Sequence, residues 1–325
     1  MSHTQFNRDS RLELAILLKA DKTQKECAEI LGMHRTNVCL EISRNKDPNG
    51  VYRGGFAHRK YLNRRKAVKS QTRKIENNKK LRRHIVSKLK KFWSPEQIAG
   101  RLNEKEKRTV ICHETIYTFV YKKRPDLTKY LRHRKCKYRK KRGSNIRIKH
   151  AKSMNIRKIE ERPEIVNERG RLGDWEGDTV IGKERKQRIL THVERKSGYG
   201  LADKIDVVTA EIVREKTTSI FKKIPRKKRK TLTRDNGTEF GDLDKDLERK
   251  TKLEVYRATP YHSWERGCNE NWNGLLRQFF PKGSYFANIS QYQVQQAVRL
   301  LNDRPRKRLG YKTPREVFNE CSDSD

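Results

Sequence analysis

The sequence predicts a multidomain chain: an all-α helix-turn-helix region at the N-terminus, followed by an α/β domain with a mixed five-stranded sheet. Three observations predict it. Residues 11–46 combine helix start signals, a glycine break and apolar positions at helical spacing. From Leu172 the apolar positions alternate in three successive short runs, after which extended runs alternate with amphipathic helices. Between these regions lie runs of lysine and arginine, and the whole chain of 325 residues carries 80 Lys and Arg against 40 Asp and Glu.

The resulting formal charge of +40 repels itself unless a polyanion neutralises it. DNA, RNA or an anionic membrane could do so. No apolar run approaches the roughly 20 residues of a bilayer span, and Met1-Ser2-His3-Thr4-Gln5 lacks the features of a signal peptide. Nucleic acid is therefore the expected partner, with no membrane. The six cysteines, at 27, 39, 112, 136, 268 and 321, form no CxxC pair, which points to reduced thiols in the cytoplasm rather than zinc.

Taken in order, Thr23-Gln24-Lys25-Glu26 is a capping box, with Cys27, Ala28, Ile30 and Leu31 as its apolar face. Gly32 breaks that helix. Met33-His34-Arg35-Thr36-Asn37-Val38 starts the next, placing His34, Arg35, Thr36 and Asn37 at the end of a recognition helix where base edges are read. This region is assigned to residues 1–50, and a basic linker to 51–85. Ser94-Pro95-Glu96-Gln97 is a second capping box with proline at the first helical position. A further helix is expected from His113, with Ile116, Phe119 and Val120 inward and Cys112 as a weak cap. Residues 86–125 thus read as a second helix-turn-helix-like domain, which gives His113 and Thr115 a place at DNA. Residues 122–142 hold 12 Lys or Arg against one acid, Asp126. With the aromatics Tyr121, Tyr130 and Tyr138 they read as an arm, within a linker at 126–165, that clamps phosphates through Arg139, Lys140, Lys141 and Arg142.

Residues 166–325 form the α/β domain. Strands are expected at Asp174–Ile181, Arg188–Val193, Tyr199–Ile205, Thr231–Thr233 and Leu253–Tyr256. Helices are expected at Ala210–Ile224 and at about 269–279, 290–303 and 314–319.

Three acids stand out: Asp178 on the first strand, Asp235 at the end of the fourth, before the Asn236-Gly237 turn, and Glu270 at the head of a helix. Two aspartates and a glutamate can hold a pair of hard divalent cations, and two such ions can clamp the attacking and leaving oxygens of a phosphoryl displacement. Strand periodicity puts Asp174, Glu176 and Asp178 on one face, so spacing alone leaves the first ligand open. Asp178 is favoured because it follows Gly177, and Glu176 remains a direct or supporting alternative. Asp235 also suits an ordinary turn and Glu270 an ordinary helix start. His262, Arg266 and Lys282 are candidates for phosphate positioning. Trp175 and Trp272 read as core.

The runs Gly173-Asp174-Trp175-Glu176-Gly177-Asp178, Val193-Glu194-Arg195-Lys196-Ser197, Arg234-Asp235-Asn236-Gly237-Thr238-Glu239-Phe240 and Tyr261 to Asn271 resemble the insertion-sequence thirty family of DDE transposases. So do Asn273-Gly274-Leu275-Leu276-Arg277-Gln278, the tail from Arg304-Pro305 to Lys312-Thr313-Pro314, Ser94–Ala99 and His113–Tyr117. The likeness covers nearly the whole chain. It implies a ribonuclease H-like catalytic domain, as in retroviral integrases. It also implies Asp178, Asp235 and Glu270 as catalytic metal ligands, and Mg²⁺, with Mn²⁺ as a substitute, as a pair of ions. The implied activity is binding of terminal inverted repeats of an insertion sequence, then metal-dependent cleavage and strand transfer on double-stranded repeat and target DNA. A homodimer or higher homo-oligomer on DNA, in the prokaryotic nucleoid, follows from the same likeness. A repressor using only the N-terminal half, and a ribonuclease H-type nuclease that cuts without joining, are the alternatives. Intact acids at all three positions argue against the first, and two helix-turn-helix candidates against the second.

Overall fold

A computed structural model describes residues 5–71, 74–132, 157–241, 243–260 and 262–320. The chain divides into two compact units, Met1–Arg82 and Arg83–Asp325. The proposed phosphate clamp at Arg139, Lys140, Lys141 and Arg142 lies outside the described residues.

The first unit is helical: α1 (Arg8–Lys19), α2 (Gln24–Ile30), α3 (Arg35–Asn45), α4 (Gly54–Gln71) and α5 (Lys74–Asn77). The Thr23–Glu26 capping box forms as expected and starts α2. Gly32, at φ +60°, takes the left-handed conformation that ends it. Leu14, Cys27, Ala28, Val38, Ile42, Tyr52 and Ala57 close a small core. A buried ion pair, Arg11 to Glu41 at 2.7 Å, crosses it, and Glu41 also accepts from Asn45 and Tyr52. Residues 51–85, expected as a basic linker, contain α4, an 18-residue helix packed on α1 and α3. Its lysines and arginines leave too few apolar residues for an amphipathic stripe to be read.

The second unit takes in the end of α6 (Lys79–Lys90), then α7 (Pro95–Glu106), α8 (His113–Lys123), α9 (Glu164–Asn167) and the sheet with its helices. Ser94 caps α7 in a capping box with Gln97, and Cys112 makes no side-chain cap bond to α8, as its thiol suggests. Ile98, Ile116, Phe119 and Val120 are buried where expected.

The sheet comprises β1 (Asp174–Ile181), β2 (Arg188–Glu194), β3 (Gly200–Ile205), β4 (Thr231–Arg234) and β5 (Glu254–Arg257), in the order β3-β2-β1-β4-β5. It is mixed: β1 to β3 pair antiparallel, while β4 and β5 continue parallel to β1. Two faces follow from the pleat. Trp175 packs with Phe221, Leu232, Leu247 and Phe318 on the face covered by α10 (Ala210–Lys222) and α11 (Asp244–Thr251). Val180 packs on the other face, with Trp272, Leu276, Val294 and Leu301 of α12 (Gly267–Leu276) and α13 (Gln291–Asn302). Trp175 and Trp272 are both core residues. α13 is fastened to β3 by Asn302, whose side chain accepts from Gly200 N and donates to Gly200 O, both at 2.8 Å. A short helix, α14 (Pro314–Glu320), ends the described chain. Among the described residues, no helix is long and apolar enough to cross a membrane.

Candidate active site

The parallel pairing of β1 with β4 sets the carboxyl end of β4 beside the middle of β1. Asp178 is the fifth residue of β1, and Asp235 lies one residue past β4. One guanidinium bridges them: Arg266 Nη2 lies 3.0 Å from Asp235 Oδ2, and Nη1 lies 3.6 Å from Asp178 Oδ1. Asp178 also accepts from Thr179 N at 2.8 Å and from Asn273 Nδ2 at 2.9 Å. Two carboxylates that share a cation at this range form a place for positive charge built from oxygen donors, the ligand chemistry of hard divalent ions.

Glu270 is placed differently. It is exposed on α12, one turn after Arg266 and one turn before Asn273. Side chains three apart on a helix are neighbours, so Glu270 lies beside Asn273, which touches Asp178. Among the described residues, however, no three His, Cys, Asp or Glu side chains are gathered closely enough to hold a metal. The structure brings Asp178 and Asp235 together and leaves Glu270 exposed on α12.

Glu176 is fully buried and committed elsewhere. Arg195 Nη1 donates to its Oε1, and Asn269 N donates to its Oε2 at 2.8 Å. Asn269 Nδ2 donates to the Glu176 carbonyl at 2.8 Å, so the first turn of α12 is held to β1. Thr191, opposite Asp178 on β2, donates to Asn269 Oδ1 at 3.1 Å and to Asn273 Oδ1 at 3.0 Å. A polar chain thus runs from Glu176 through Asn269, Thr191 and Asn273 to Asp178. Asp174, the third acid on this strand, is buried against Arg171 and Thr231. Sequence reasoning missed Arg195, Asn269 and Asn273. The available signal was the i, i+4 spacing of two asparagines on a helix whose other inward residues are apolar.

Burial pushes the Asp178 carboxyl up to about 6; Arg266 pulls it back down and Asp235 pushes it further up. A carboxyl that holds its proton more tightly when folded costs stability as pH rises from about 4 to about 6, and the cost is constant above that. Asp178→Asn, with chelator present, is therefore expected to be more stable than the parent at pH 7.5 by on the order of 2 kcal/mol, the gap closing near pH 4. Thermal denaturation at the two pH values checks this, and a gap that widens in acid contradicts it.

The other candidates are scattered. Arg266 faces the acid pair instead of solvent. His262 pairs with Glu265 at 3.3 Å and stacks on the exposed Trp264. Lys282 is exposed. In the first unit His34 caps α3 by accepting from Thr36 N, and Arg35 and Thr36 are exposed beside the half-buried Asn37. His113 contacts Glu114 at 3.4 Å, and Thr115 contacts Cys112 at 3.1 Å.

The chain is 38% identical over 319 residues, 97% of its own length and 95% of the relative's, to the transposase for insertion sequence element IS4351 of Bacteroides fragilis. It is 32% identical over 324 residues, covering 95% of this chain and 82% of the relative, to the transposase InsI for insertion sequence element IS30A of Escherichia coli. The chain belongs to the IS30 family of transposases. The transposase for IS1086 of Cupriavidus metallidurans is 29% identical to this transposase, over 97% of it. No protein-family model matches the transposase. Among solved structures, the catalytic core domain of BIV integrase aligns with 46% of this transposase and 95% of its own chain, with a TM-score of 0.38 and 22% identity.

Proposed function

We propose that this transposase binds the terminal inverted repeats of its insertion sequence and cuts and joins DNA with Asp178, Asp235 and Glu270 as ligands of divalent metal, Mg²⁺ or Mn²⁺. The observation that carries the proposal is the pair Asp178 and Asp235 on adjoining strands, sharing the Arg266 guanidinium as they would share a metal ion. The bound ions would supply the positive charge that stabilises a phosphodiester under attack. The chain's own residues do the rest. Asn273 and Thr179 N fix the Asp178 carboxylate. Arg266, once displaced from the acids, would be free to meet a backbone phosphate. Glu270 would join the aspartates from the first turn of α12.

The sheet, with three antiparallel strands continued by two parallel ones, one acid within β1 and one just past β4, supports a ribonuclease H-like reading. For recognition, α2 and α3 are read as a helix-turn-helix presenting Arg35 and Asn37 to bases, and α7 and α8 as a second such pair. The arm at 122–142 is read as a phosphate clamp, and the active form as a homo-oligomer on DNA.

A strand-transfer assay on duplexes ending in the element's repeats tests the proposal. Mg²⁺ and Mn²⁺ are expected to support both cutting and joining, and Ca²⁺ neither. Cutting without joining would favour a plain nuclease, and activity in excess chelator would remove the metal from the account.

A further inference from the structure

On the face of β1 opposite Asp178, a cavity of about 440 Å³ opens between the tip of the β1–β2 hairpin, the start of α10 and the segment after Asp235. Its size falls within the range of about 300–1,000 Å³ for small-ligand pockets. Its wall carries Arg185, Lys186 and Arg188 together with Asp206 and Glu239. Both acids are already matched. Glu239 Oε1 accepts from Arg188 Nη1 at 2.5 Å and from Thr179 Oγ1 at 2.8 Å. Asp206 Oδ1 pairs with Lys204 at 2.9 Å and accepts from Gln187 at 3.2 Å. Arg185 and Lys186 are exposed, and neither side chain has an ion-pair partner among the described residues. Two unmatched cations thus face a cavity whose apolar wall is Val207 and Val208.

Glu239 links this cavity to the acid pair, since it lines the cavity and accepts from Thr179. Thr179 follows Asp178 directly, and Glu239 lies four residues past Asp235. The Glu239 and Asp235 carboxylates both crowd Gly237: a Cβ there would stand 2.6 Å from Glu239 Oε2 and 3.0 Å from Asp235 Oδ1. The two carboxylates thus lie on either side of the turn at Gly237. Cations beside an apolar wall suit a sugar-phosphate unit, whose charge is bound by donors and whose ring packs on aliphatic carbon.

We propose that this cavity seats one nucleotide of the DNA strand flanking the bond that is cut, its phosphate held by Arg185 and Lys186 and its sugar against Val207 and Val208. The proposal rests on the reading of Asp178 and Asp235 as the cutting site.

The test is cleavage, by the full chain, of duplexes bearing a single neutral methylphosphonate at successive positions near the cut. In the parent protein one position is expected to lower cleavage about tenfold, the size of one lost charged hydrogen bond. Arg185→Gln with Lys186→Gln should lose a similar factor on unmodified DNA and nothing further at that position, since contacting groups are not additive. Glutamine keeps the chain length, and both side chains are exposed, so the fold should hold. Arg185→Lys with Lys186→Arg keeps the charges and should keep the parent's pattern. Losses that simply multiply at every position, or a double glutamine variant that cuts unmodified DNA at the parent rate, would overturn the proposal. So would relief of the interference pattern by a free deoxynucleoside monophosphate, because the cavity would then serve a soluble nucleotide. Failure of the underlying reading shows separately, as an Asp178→Asn protein that still cuts unmodified DNA.

Discussion

Asp178→Asn and Asp235→Asn are each expected to lower cleavage and joining about a thousandfold, taking about 4 kcal/mol for the transition-state charge that the ion stabilises. Repeat binding should stay within about twofold of the parent, because the proposal assigns base reading to other residues. The two aspartates share one guanidinium, so removing either carboxylate also frees Arg266. The two losses should therefore not add in the double variant, as expected for residues acting as a unit. Glu270→Gln should match them in cleavage. Its signature differs, since Glu270 is exposed and its replacement should leave thermal stability unchanged. A Glu270→Gln protein that cuts at the parent rate would leave Asp178 and Asp235 to act with some other third group.

Glu176→Ala is expected to be the most destabilising single change near the site. It leaves Arg195 buried without its carboxylate and releases the Asn269 amide at the head of α12. Removing one partner of a buried pair costs about 3–5 kcal/mol, which for a unit of this size lowers the melting temperature by on the order of 10 °C. Cleavage should fall as well at temperatures where the protein remains folded, because α12 carries Asn273 and Glu270. Glu176→Gln can still accept from Asn269 and should recover part of both losses. Calorimetry of the two variants alongside cleavage at 20 °C checks this. A Glu176→Ala protein that melts with the parent yet no longer cuts would instead make Glu176 a ligand.

The sheet was legible in the sequence because each strand has one face to bury. Thr231–Arg234 runs one residue past the expected span, and Glu254–Arg257 is shifted by one residue at each end. Helix α4 was not legible, since its charged residues surround the few apolar ones. Helix α11 was missed for a related reason: its buried acid Asp244 is matched by Arg234 and Arg257, which reads in sequence as an ordinary surface charge. Asp235 stood out because a strand end and the following Asn236-Gly237 turn mark it. The choice between Glu176 and Asp178 could not be made from spacing, since period two puts both on one face. Partners separate them: Glu176 is enclosed by Arg195 and Asn269, while Asp178 keeps a half-open side toward Arg266. The contact of Arg266 with both acids was not legible, because nothing in its sequence neighbourhood records that a turn of chain aims it at Asp178 and Asp235, which are far apart in sequence.

The most direct test of the central claim is a Mn²⁺ titration of the full chain, followed by the loss of the free-ion electron paramagnetic resonance signal, in the parent and in Asp178→Asn and Asp235→Asn. The parent is expected to take up Mn²⁺ in competition with Mg²⁺, and either variant to lose that uptake while still binding repeat DNA. Uptake by both variants equal to that of the parent would show that these two carboxylates do not hold the metal.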